Sequence, residues 1–246
     1  MPPPLILIPT YNERENVALV SRAVFAALPE AHILFIDDNS PDGTGARIEE
    51  LRQGEPRLHV LHRTEKAGLG RAYIAGFRWL LARDYPLAIC MDADLSHDPA
   101  DLPAMVAAAE NADLVCGSRY KDGIRIMNWP LSRLLLSKGA SWYTTLLTGM
   151  PFTDPTGGFN AYRRSLLERL PLDRIQSNGY SFQIEMKHSI WISGYRWTEV
   201  PITFTERRSG ISKMNPAIVR EALCIVWRLV IRQGFRRTPR AQVQTT

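Results

Sequence analysis

Short apolar stretches alternate with helix-patterned segments through the first half of the chain, and this alternation constrains the fold more than any other feature. The predicted strands cover residues 5–8, 33–36, 58–61, 87–91 and 114–117. The predicted helices cover residues 14–28, 45–53, 69–83 and 99–110. Continuous apolar strands separated by helices are typical of a mostly parallel sheet covered on both faces. We therefore expect an α/β fold.

The pattern changes after about residue 125. We predict, in chain order, a helix over residues 131–147, the Gly-rich loop "DPTGGFNAY", a helix near residues 182–193, a strand in "RWTEVPITF", the loop "TERRSGISK" and a final helix over residues 216–233. That last helix combines several arginines with an otherwise apolar surface that includes Trp227. Such a helix either packs on its domain or lies in a membrane interface.

Bulk composition narrows the class of protein. The 246 residues, 45% of them hydrophobic, suffice for one large domain or for a domain with an appended element. The formal net charge of +5 suits nucleic acid, an anionic membrane surface or a phosphorylated substrate. Because no nucleic-acid motif is present, we expect no nucleic-acid partner. Cys90, Cys116 and Cys224 each lie in an apolar run, which predicts core thiols in a reducing cytoplasm.

Polar residues follow several predicted strands, at the sheet edge where ligands of open α/β sheets bind. They are Pro9 to Glu13, Asp37, Asp38, Asp92, Asp94, Ser118 and Arg119. Residues i and i+2 of an extended chain project to the same side, so Asp92 and Asp94 could face one point. Two carboxylates beside open coordination positions suit Mg²⁺ or Mn²⁺ bridged to substrate phosphates. A solvated turn is the alternative.

Other motifs limit the ligand. A carboxylate after the second strand, such as Asp38, can accept hydrogen bonds from a ribose or a base. Pro41-Asp42-Gly43 predicts a turn, and Gly68 with Gly70 at a helix start could receive phosphate oxygens. The chain has neither a Walker loop nor GxGxxG after its first strand, which argues against a P-loop ATPase or a dinucleotide enzyme. No apolar run approaches the roughly 18 residues of a membrane span.

Seven stretches together resemble the dolichol- and polyprenol-phosphate mannose synthases, which are family 2 glycosyltransferases with a GT-A, Rossmann-like fold. They are "PTYNERENV", "DDNSPDGTG", "GLGRAYIAGF", "MDADLSHDP", "GSRY", "NWPLSRLLLSKGA" and "EVPITFTERRSGISKM". The resemblance covers about residues 4 to 232 and is nearest to the actinobacterial polyprenol enzymes. It implies one domain over residues 1–234, with a nucleotide-sugar half (1–120) and an acceptor half (121–234), followed by a basic tail over 235–246.

The resemblance implies transfer of mannose from GDP-mannose to a polyprenyl or dolichyl phosphate, with inversion. Its donor-side residues match Pro9, Tyr11, Glu13, Asp38, Asp42, Lys66, Gly68 and Ala93 of this chain. The metal ligands match Asp92 and Asp94, with Ser96 where some members carry a glutamine. Residues that hold the phosphates match Arg119, Arg133 and Ser137, and a mobile loop that closes on the diphosphate matches Arg207 and Lys213. Asp154 matches a position that we expect to orient the sugar.

The residue types are consistent with those roles. Arg133 and Ser137 are four apart and share a helix face, where a guanidinium and a hydroxyl could seat a phosphate. The three cations of "ERRSGISK" surround a Ser-Gly hinge, as a clamping loop would need, although a solvated loop is the alternative. A lipid monophosphate is already an anion near neutral pH, so its attack needs no general base. We expect Asp94, Arg119 and Arg207 to act most directly in catalysis.

The sequence leaves alternatives open. A related transferase that uses another nucleotide sugar, such as a polyprenyl-phosphate glucose synthase, would carry the same pattern. A non-catalytic module that binds nucleotide or lipid phosphate would keep the fold but could lose the metal pair. Asn160 stands where a basic residue is common in the family. We expect a peripheral protein at the inner face of the cytoplasmic membrane, with a membrane-bound partner protein left open.

Overall fold

A seven-stranded sheet forms the centre of the molecule. The computed structural model describes residues 2–177, 179–206 and 216–234, without the side chains of residues 180 and 216–222. The sheet strands are β1 (Leu5–Thr10), β2 (His32–Asp37), β3 (Leu58–His62), β4 (Leu87–Cys90), β5 (Leu114–Ser118), β7 (Asn160–Arg163) and β8 (Trp197–Pro201). Their order is β3-β2-β1-β4-β7-β5-β8. Only β7 runs antiparallel to its neighbours in this sheet, so the predicted mostly parallel sheet is confirmed.

Eight α-helices lie within the described residues. They are α1 (Val17–Ala27), α2 (Thr44–Gly54), α3 (Leu69–Leu81), α4 (Leu102–Ala108), α5 (Leu131–Thr148), α6 (Arg164–Arg169), α7 (Gly179–Ile192) and α8 (Pro216–Arg232). Two short strands, β6 (Ile126–Met127) and β9 (Phe204–Thr205), pair in parallel outside the main sheet. The segment 196–204, predicted as one strand, is therefore divided between β8 and β9.

Hydrophobic packing covers both faces of the sheet. Leu5 and Leu7 of β1 pack on one face with apolar residues of α3, α6, α7 and α8. Ile6 and Ile8 pack on the other face with apolar residues of α1, α2 and α4. Because successive strand residues point to opposite faces, an uninterrupted apolar strand is what a doubly covered sheet requires. Each fully buried Leu or Ile stabilises the fold by about 1.5–3 kcal/mol.

Strands from both predicted halves of the domain join this one sheet, since β7 and β8 flank β5. The division at residue 120 remains a prediction. Across the described stretches, none of the helices has the length and apolar character needed to cross a bilayer. Cys90 and Cys116 are buried as predicted, and burial raises the pKa of the Cys116 thiol to about 12. Cys224 is exposed on α8, so the prediction of a core thiol there is wrong.

Candidate active site

Three loops at the carboxyl edge of the sheet each contain a residue with the same unusual backbone geometry. Asn12, Asn39 and Leu95 follow β1, β2 and β4, and each has a positive φ of 55–60°. Asn tolerates this left-handed region, but a leucine there costs of order 1–2 kcal/mol. Such strain persists only where the surroundings hold it, and it concentrates at functional sites. The strained turn at Leu95 lies directly between Asp94 and Ser96.

The turn after β4 orients its two carboxylates differently. Ser96 donates to Oδ1 of Asp94 through both its backbone N–H, at 3.1 Å, and its hydroxyl, at 2.6 Å. The backbone N–H of Asp92 donates to Nδ1 of the buried His97 at 3.2 Å. The side chain of Asp92 itself is 41% exposed and faces a cavity. The left-handed turn thus fixes Asp94 while presenting Asp92 to a ligand.

Arg119, at the end of β5, forms a buried ion pair with Asp154. Its Nε and Nη2 donate to the two carboxylate oxygens at 2.6 and 2.7 Å, and its backbone N–H donates to Oδ2 at 3.2 Å. Lys187 of α7, also fully buried, donates to the carbonyl oxygens of Asp154 and Gly157. Burial raises the pKa of the Asp154 carboxyl, but Arg119 and Lys187 outweigh it and hold the pKa well below its usual range.

Helix α5 carries Arg133 and Ser137 on one face, as predicted, and both border the same cavity. Arg133 forms an ion pair with Glu206 and lies 4.0 Å above the ring of Trp129. Its Nε is buried and has no hydrogen-bond partner within the described part of the chain. Ser137 accepts a hydrogen bond from the Tyr120 hydroxyl at 2.7 Å.

The cavity has a volume of about 430 Å³, and its lining is both polar and apolar. The polar lining residues include Asp92, Ser96, His97, Arg119, Arg133, Ser137, Thr156, Gln183 and Glu206. The apolar lining residues include Leu69, Leu135, Leu136, Tyr143, Ile184 and Leu223. A ligand that combines an anionic group with an apolar chain suits this lining.

A second group of predicted residues, which we call the donor-side group, lies around the ends of β1 and β2. Lys66 lies 3.6 Å above the ring of Tyr11. Asp38 is nearly buried and pairs with Arg63 at 2.5 Å. Burial raises the pKa of the Asp38 carboxyl above its ordinary value, because Arg63 offsets only part of that effect. None of these four residues borders the cavity.

Asp42 of this donor-side group sits in the predicted turn before α2. Its Oδ1 accepts from the backbone N–H and the hydroxyl of Thr44, and its Oδ2 accepts from the N–H of Arg14. Thr44 in turn accepts from the N–H of Glu13 at 2.9 Å. The turn therefore holds the loop after β1 in place. Asp42 affects the site by positioning that loop.

The remaining predicted residues divide as follows. Ala93 is buried between the two aspartates, Pro9 is the penultimate residue of β1, and Gly68, with a φ of 96°, caps α3. Asp154 has no exposed surface and does not border the cavity, so its carboxylate supports Arg119; its expected contact with the sugar stays a prediction. Arg207 and Lys213 lie outside the described residues.

Sequence reasoning missed the cavity residues His97, Gln183 and Glu206. His97 is stacked on Phe159 and lies beside Asp92. The segment of α7 offered one indication, since Ser181, Gln183, Glu185, Lys187 and His188 are spread over more than one face of a helix, and the structure buries all five. Buried polar groups require hydrogen-bond partners, so these five indicate a polar interior.

The donor set of the turn fits a divalent cation. Asp92 and Asp94 supply hard oxygen ligands, which Mg²⁺ and Mn²⁺ prefer. No set of three His, Cys, Asp or Glu side chains within the described ranges could enclose a metal. Two carboxylates without a full cage are the arrangement expected where substrate phosphates complete the coordination. Ser96 is bonded to Asp94, and its predicted role as a third ligand stays a prediction.

Comparison with known proteins defines the class of this chain. The family model "Glycosyl transferase family 2" matches residues 5–171, and the chain belongs to that family. It is 50% identical over 221 residues to the polyprenol monophosphomannose synthase of Mycolicibacterium smegmatis, covering 89% of this chain and 83% of that protein. It is 47% identical over 235 residues to the undecaprenyl-phosphate mannosyltransferase of Micrococcus luteus, covering 94% and 97%.

Solved structures agree on the fold. The glucosyl-3-phosphoglycerate synthase of Mycobacterium tuberculosis, in complex with Mn²⁺, UDP and phosphoglyceric acid, matches with a TM-score of 0.68 at 18% identity, over 95% of this chain and 79% of that chain. A mannosyltransferase of Pyrobaculum calidifontis, in complex with GDP-mannose and Mn²⁺, matches with a TM-score of 0.60 at 20% identity, over 94% and 64%. The expected GT-A fold is confirmed.

Proposed function

We propose that this protein transfers mannose from GDP-mannose to the phosphate of a polyprenyl monophosphate, with inversion at the anomeric carbon. It is then an enzyme of the dolichyl-phosphate β-D-mannosyltransferase type. The observation that carries the proposal is the cavity that joins Asp92, Arg119 and Arg133 to an apolar wall on α5 and α8. Its charged lining residues suit phosphates and its apolar lining residues suit a prenyl chain. The similarity to two polyprenyl-phosphate mannosyltransferases supports the same reading.

The donor-side group would receive the guanosine of GDP-mannose. Tyr11 and Lys66 form an aromatic and cationic pair beside Asp38, whose carboxylate can accept hydrogen bonds from a base amine or a ribose hydroxyl. Glu13 is held near them by the turn at Asp42. The diphosphate would then lie toward Asp92 and Asp94, beyond the end of β4. Arg207 and Lys213 remain proposed contacts of the diphosphate.

The acceptor phosphate would bind between Arg119, Arg133 and Ser137. Arg133 borders the cavity together with Arg119, and its buried Nε is a donor without a partner among the described residues, which suits an anion. Arg119 is held by Asp154, so its position is set before the ligand arrives. Leu135, Leu136 and Leu223 continue the cavity with apolar surface for the first prenyl units.

The chain's residues would act by positioning and charge stabilisation. An oxygen of the lipid phosphate attacks the anomeric carbon as the bond to GDP breaks, and no proton has to leave the nucleophile. Asp154 fits no general-base role, because its carboxylate oxygens accept hydrogen bonds from Arg119 and its pKa is depressed. Arg119 and Arg133 reduce the repulsion between the two anions. Asp92 and Asp94 would hold a divalent cation, which when bound would neutralise charge on the leaving diphosphate.

A membrane surface would be the place where the enzyme meets its acceptor. Large apolar side chains are exposed on α5 and α8: Leu131, Leu135, Leu136, Trp142, Leu146, Leu223, Trp227 and Ile231. Lys138, Arg228 and Arg232 are exposed on the same two helices. Apolar residues bordered by Lys and Arg are typical of interfacial helices on anionic lipid. We propose a peripheral protein at the cytoplasmic face of the membrane.

The test is transfer of radiolabelled mannose into an organic extract. The purified protein is incubated with GDP-mannose, a polyprenyl phosphate and Mg²⁺ or Mn²⁺, and parallel samples contain EDTA. We expect extractable label that EDTA abolishes and that Asp94→Asn lowers on the order of a hundredfold. Asp84→Asn is the matched control and should retain activity, because Asp84 is an exposed aspartate that precedes β4, at the end of the strand opposite to Asp94.

Other results would contradict the proposal in different ways. Transfer from a glucose nucleotide alone would identify a polyprenyl-phosphate glucose synthase. Measurable GDP-mannose binding without transfer to any polyprenyl phosphate, even with added membranes, would identify a binding module. If added membranes restore transfer and protein-free vesicles of the same lipids do not, a membrane-bound partner protein is required. Absence of nucleotide binding would overturn the donor assignment.

A further inference from the structure

Gln183 presents an unsatisfied hydrogen-bond donor to the cavity. Its side chain is 2% exposed, and it borders the cavity from α7. The Nε2 atom is buried and has no hydrogen-bond partner among the residues that the structure describes. A buried amide donor without a partner costs of order 1–3 kcal/mol, and at a cavity wall a bound ligand can remove that cost.

Asn160 fixes the direction of this donor. Its Nδ2 donates to the carbonyl oxygen of Gly157 at 2.9 Å and to Oε1 of Gln183 at 3.0 Å. The carbonyl oxygen of Gly157 can only accept a hydrogen bond, so the atom of Asn160 that bonds to it is the amide nitrogen. The orientation of the Asn160 amide is thereby fixed. Oε1 of Gln183 is then the acceptor, and Nε2 is the atom left for a ligand.

The neighbouring backbone leaves room beside Nε2. Gly157 and Gly158 border the cavity, and a Cβ on Gly158 would lie 3.7 Å from both Nε2 of Gln183 and Cε1 of His97. His97 in turn lies 3.9 Å from the Asp92 carboxylate, measured from Nδ1 to Oδ2. The space beside Nε2 of Gln183 therefore adjoins His97. His97 in turn adjoins Asp92, in the turn where the diphosphate would lie.

We propose that Gln183 binds the transferred sugar and selects its hydroxyl pattern, with its Nε2 donating to one sugar hydroxyl oxygen; this rests on the proposed function. A sugar joined to the diphosphate at Asp92 has to occupy the adjoining part of the cavity. Arg119 and Arg133 are the groups suited to phosphate, whereas the neutral amide donor of Gln183 suits a neutral hydroxyl. Asn160 is a positioning residue in this arrangement, since it acts through Gln183.

The test combines two Gln183 variants with donors that lack one hydroxyl each. Gln183→Met removes the donor and keeps the side-chain length, and Gln183→Glu keeps an acceptor for Asn160. For each protein, kcat/KM is measured with GDP-mannose and with its 2-, 3-, 4- and 6-deoxy analogues, and the affinity for GDP is measured separately. Gln176→Met, at an exposed glutamine, is the control and should behave as the unaltered protein.

We expect the unaltered protein to lose roughly tenfold in kcat/KM with the analogue that lacks the contacted hydroxyl. In both Gln183 variants, GDP-mannose should lose roughly the same tenfold, and that analogue should suffer no further loss. In Gln183→Met, which adds no charge, the affinity for GDP should change by less than about twofold. Equal losses with every analogue, a parallel fall in the GDP affinity of Gln183→Met, or a change confined to the KM of the polyprenyl phosphate would each overturn the assignment.

The binding measurement keeps this inference separate from the proposed function. If the unaltered protein transfers no mannose to any acceptor, the proposed function fails before the variants are compared. The contribution of the sugar to binding is then the ratio of GDP-mannose affinity to GDP affinity. Gln183→Met should lower that ratio roughly tenfold if Gln183 contacts the sugar. An unchanged ratio in a folded variant would exclude the contact.

Discussion

Single residues set the electrostatics of this site, and the pair Arg119–Asp154 shows how. The carboxylate is fully buried and both of its oxygens accept hydrogen bonds from the guanidinium. Burying two charges costs several kcal/mol each, and their attraction and hydrogen bonds repay that cost only in good geometry. The pair is weak evidence for stability as such. Its benefit is a guanidinium that is already aimed at the cavity.

Removing one partner of this pair should be costly. We expect Asp154→Asn to lower the free energy of unfolding at pH 7 by about 3–5 kcal/mol, because it leaves Arg119 buried beside a neutral group. Urea unfolding followed by circular dichroism measures the change. Glu168→Gln is the control, since it removes a partner of Arg164 from an exposed pair and should cost less than about 1 kcal/mol. Equal losses in both variants would contradict the prediction.

The same pair predicts an acid dependence. The pKa of Asp154 is lower in the folded protein than in the unfolded chain, so the unfolded chain binds more protons between the two values. The stabilisation is therefore present above about pH 4 and is lost as the pH falls through the folded-state pKa. The difference in unfolding free energy between the unaltered protein and Asp154→Asn should narrow below about pH 4. A constant difference down to acid unfolding would refute this.

Asp38 should give the opposite dependence of folding stability on pH. Its folded-state pKa is raised, chiefly by burial, so its contribution to stability is present below the unfolded pKa and is lost as the pH rises through the folded pKa. At pH 7 the ionised carboxylate therefore opposes folding. We expect Asp38→Asn to raise the melting temperature and to weaken GDP binding roughly tenfold. Asp84→Asn should change neither, and a lower melting temperature for Asp38→Asn would contradict the argument.

Helices and strands bring these residues together, and glycine controls one of the contacts. A Cβ on Gly70 in α3 would lie 2.5 Å from the carbonyl oxygen of Ser177 and 2.9 Å from the ring of Phe182. The absent side chain thus lets α3 approach α7, the helix that carries Gln183. Gly139, within α5, has nothing within 4 Å of its Cβ position.

The two glycines should respond to alanine with opposite signs. In a helix, alanine is favoured over glycine by about 1 kcal/mol. We expect Gly139→Ala to raise the free energy of unfolding by up to that amount. Gly70→Ala should lower it by about 1–3 kcal/mol, because rigid backbone has to move. Denaturant midpoints of the two variants test this pair, and stabilisation by Gly70→Ala would show that α3 and α7 are not held as described.

The elements that sequence predicted are those with strong local patterns. β1 to β5 and the helices α2 to α5 follow from apolar periodicity, and their positions agree within a few residues. β7 was missed because four residues, "NAYR", carry no periodicity and follow a Gly-rich loop; its place between β4 and β5 depends on partners distant in sequence. The predicted start of α1 at Arg14 was early, because residues 11–16 form the loop that the turn at Asp42 holds.

The residues of the site likewise divide into those that local sequence patterns predicted and those that they did not. The DxD turn and the shared face of Arg133 and Ser137 follow from spacing of two and four residues, which sequence displays directly. The Arg119–Asp154 contact joins residues 35 apart, and the Asn160–Gln183 contact joins residues 23 apart. Such contacts depend on how β7 and α7 pack, so local patterns could not predict them. Resemblance placed Asp154 at the site, but its orientation toward Arg119 emerged only from the structure.

At the scale of the whole molecule, the cavity opens toward the exposed apolar residues of α5 and α8. Leu135, Leu136 and Leu223 belong to both the cavity wall and that exposed set. One side of α8 packs on the domain, as the first alternative for the final helix predicted, because Ile225, Val226, Leu229 and Val230 are buried. The other side is exposed, and its place in a membrane interface stays a prediction. The proposed membrane contact would bring a lipid to the cavity beside these exposed residues.

This arrangement predicts selective membrane binding. Trp142 and Trp227 are 66% and 49% exposed, and inserting large apolar side chains contributes of order 1.5–3 kcal/mol each. We expect the unaltered protein to float with vesicles that contain phosphatidylglycerol, less so at high salt, and Trp142→Ser with Trp227→Ser to abolish that flotation. Leu19→Ser, at a 46% exposed leucine on α1, is the matched control. If the control loses as much binding as the double variant, the apolar residues of α5 and α8 do not define the docking surface. If the unaltered protein floats with no vesicle yet transfers mannose in membranes, a partner protein must bring it there.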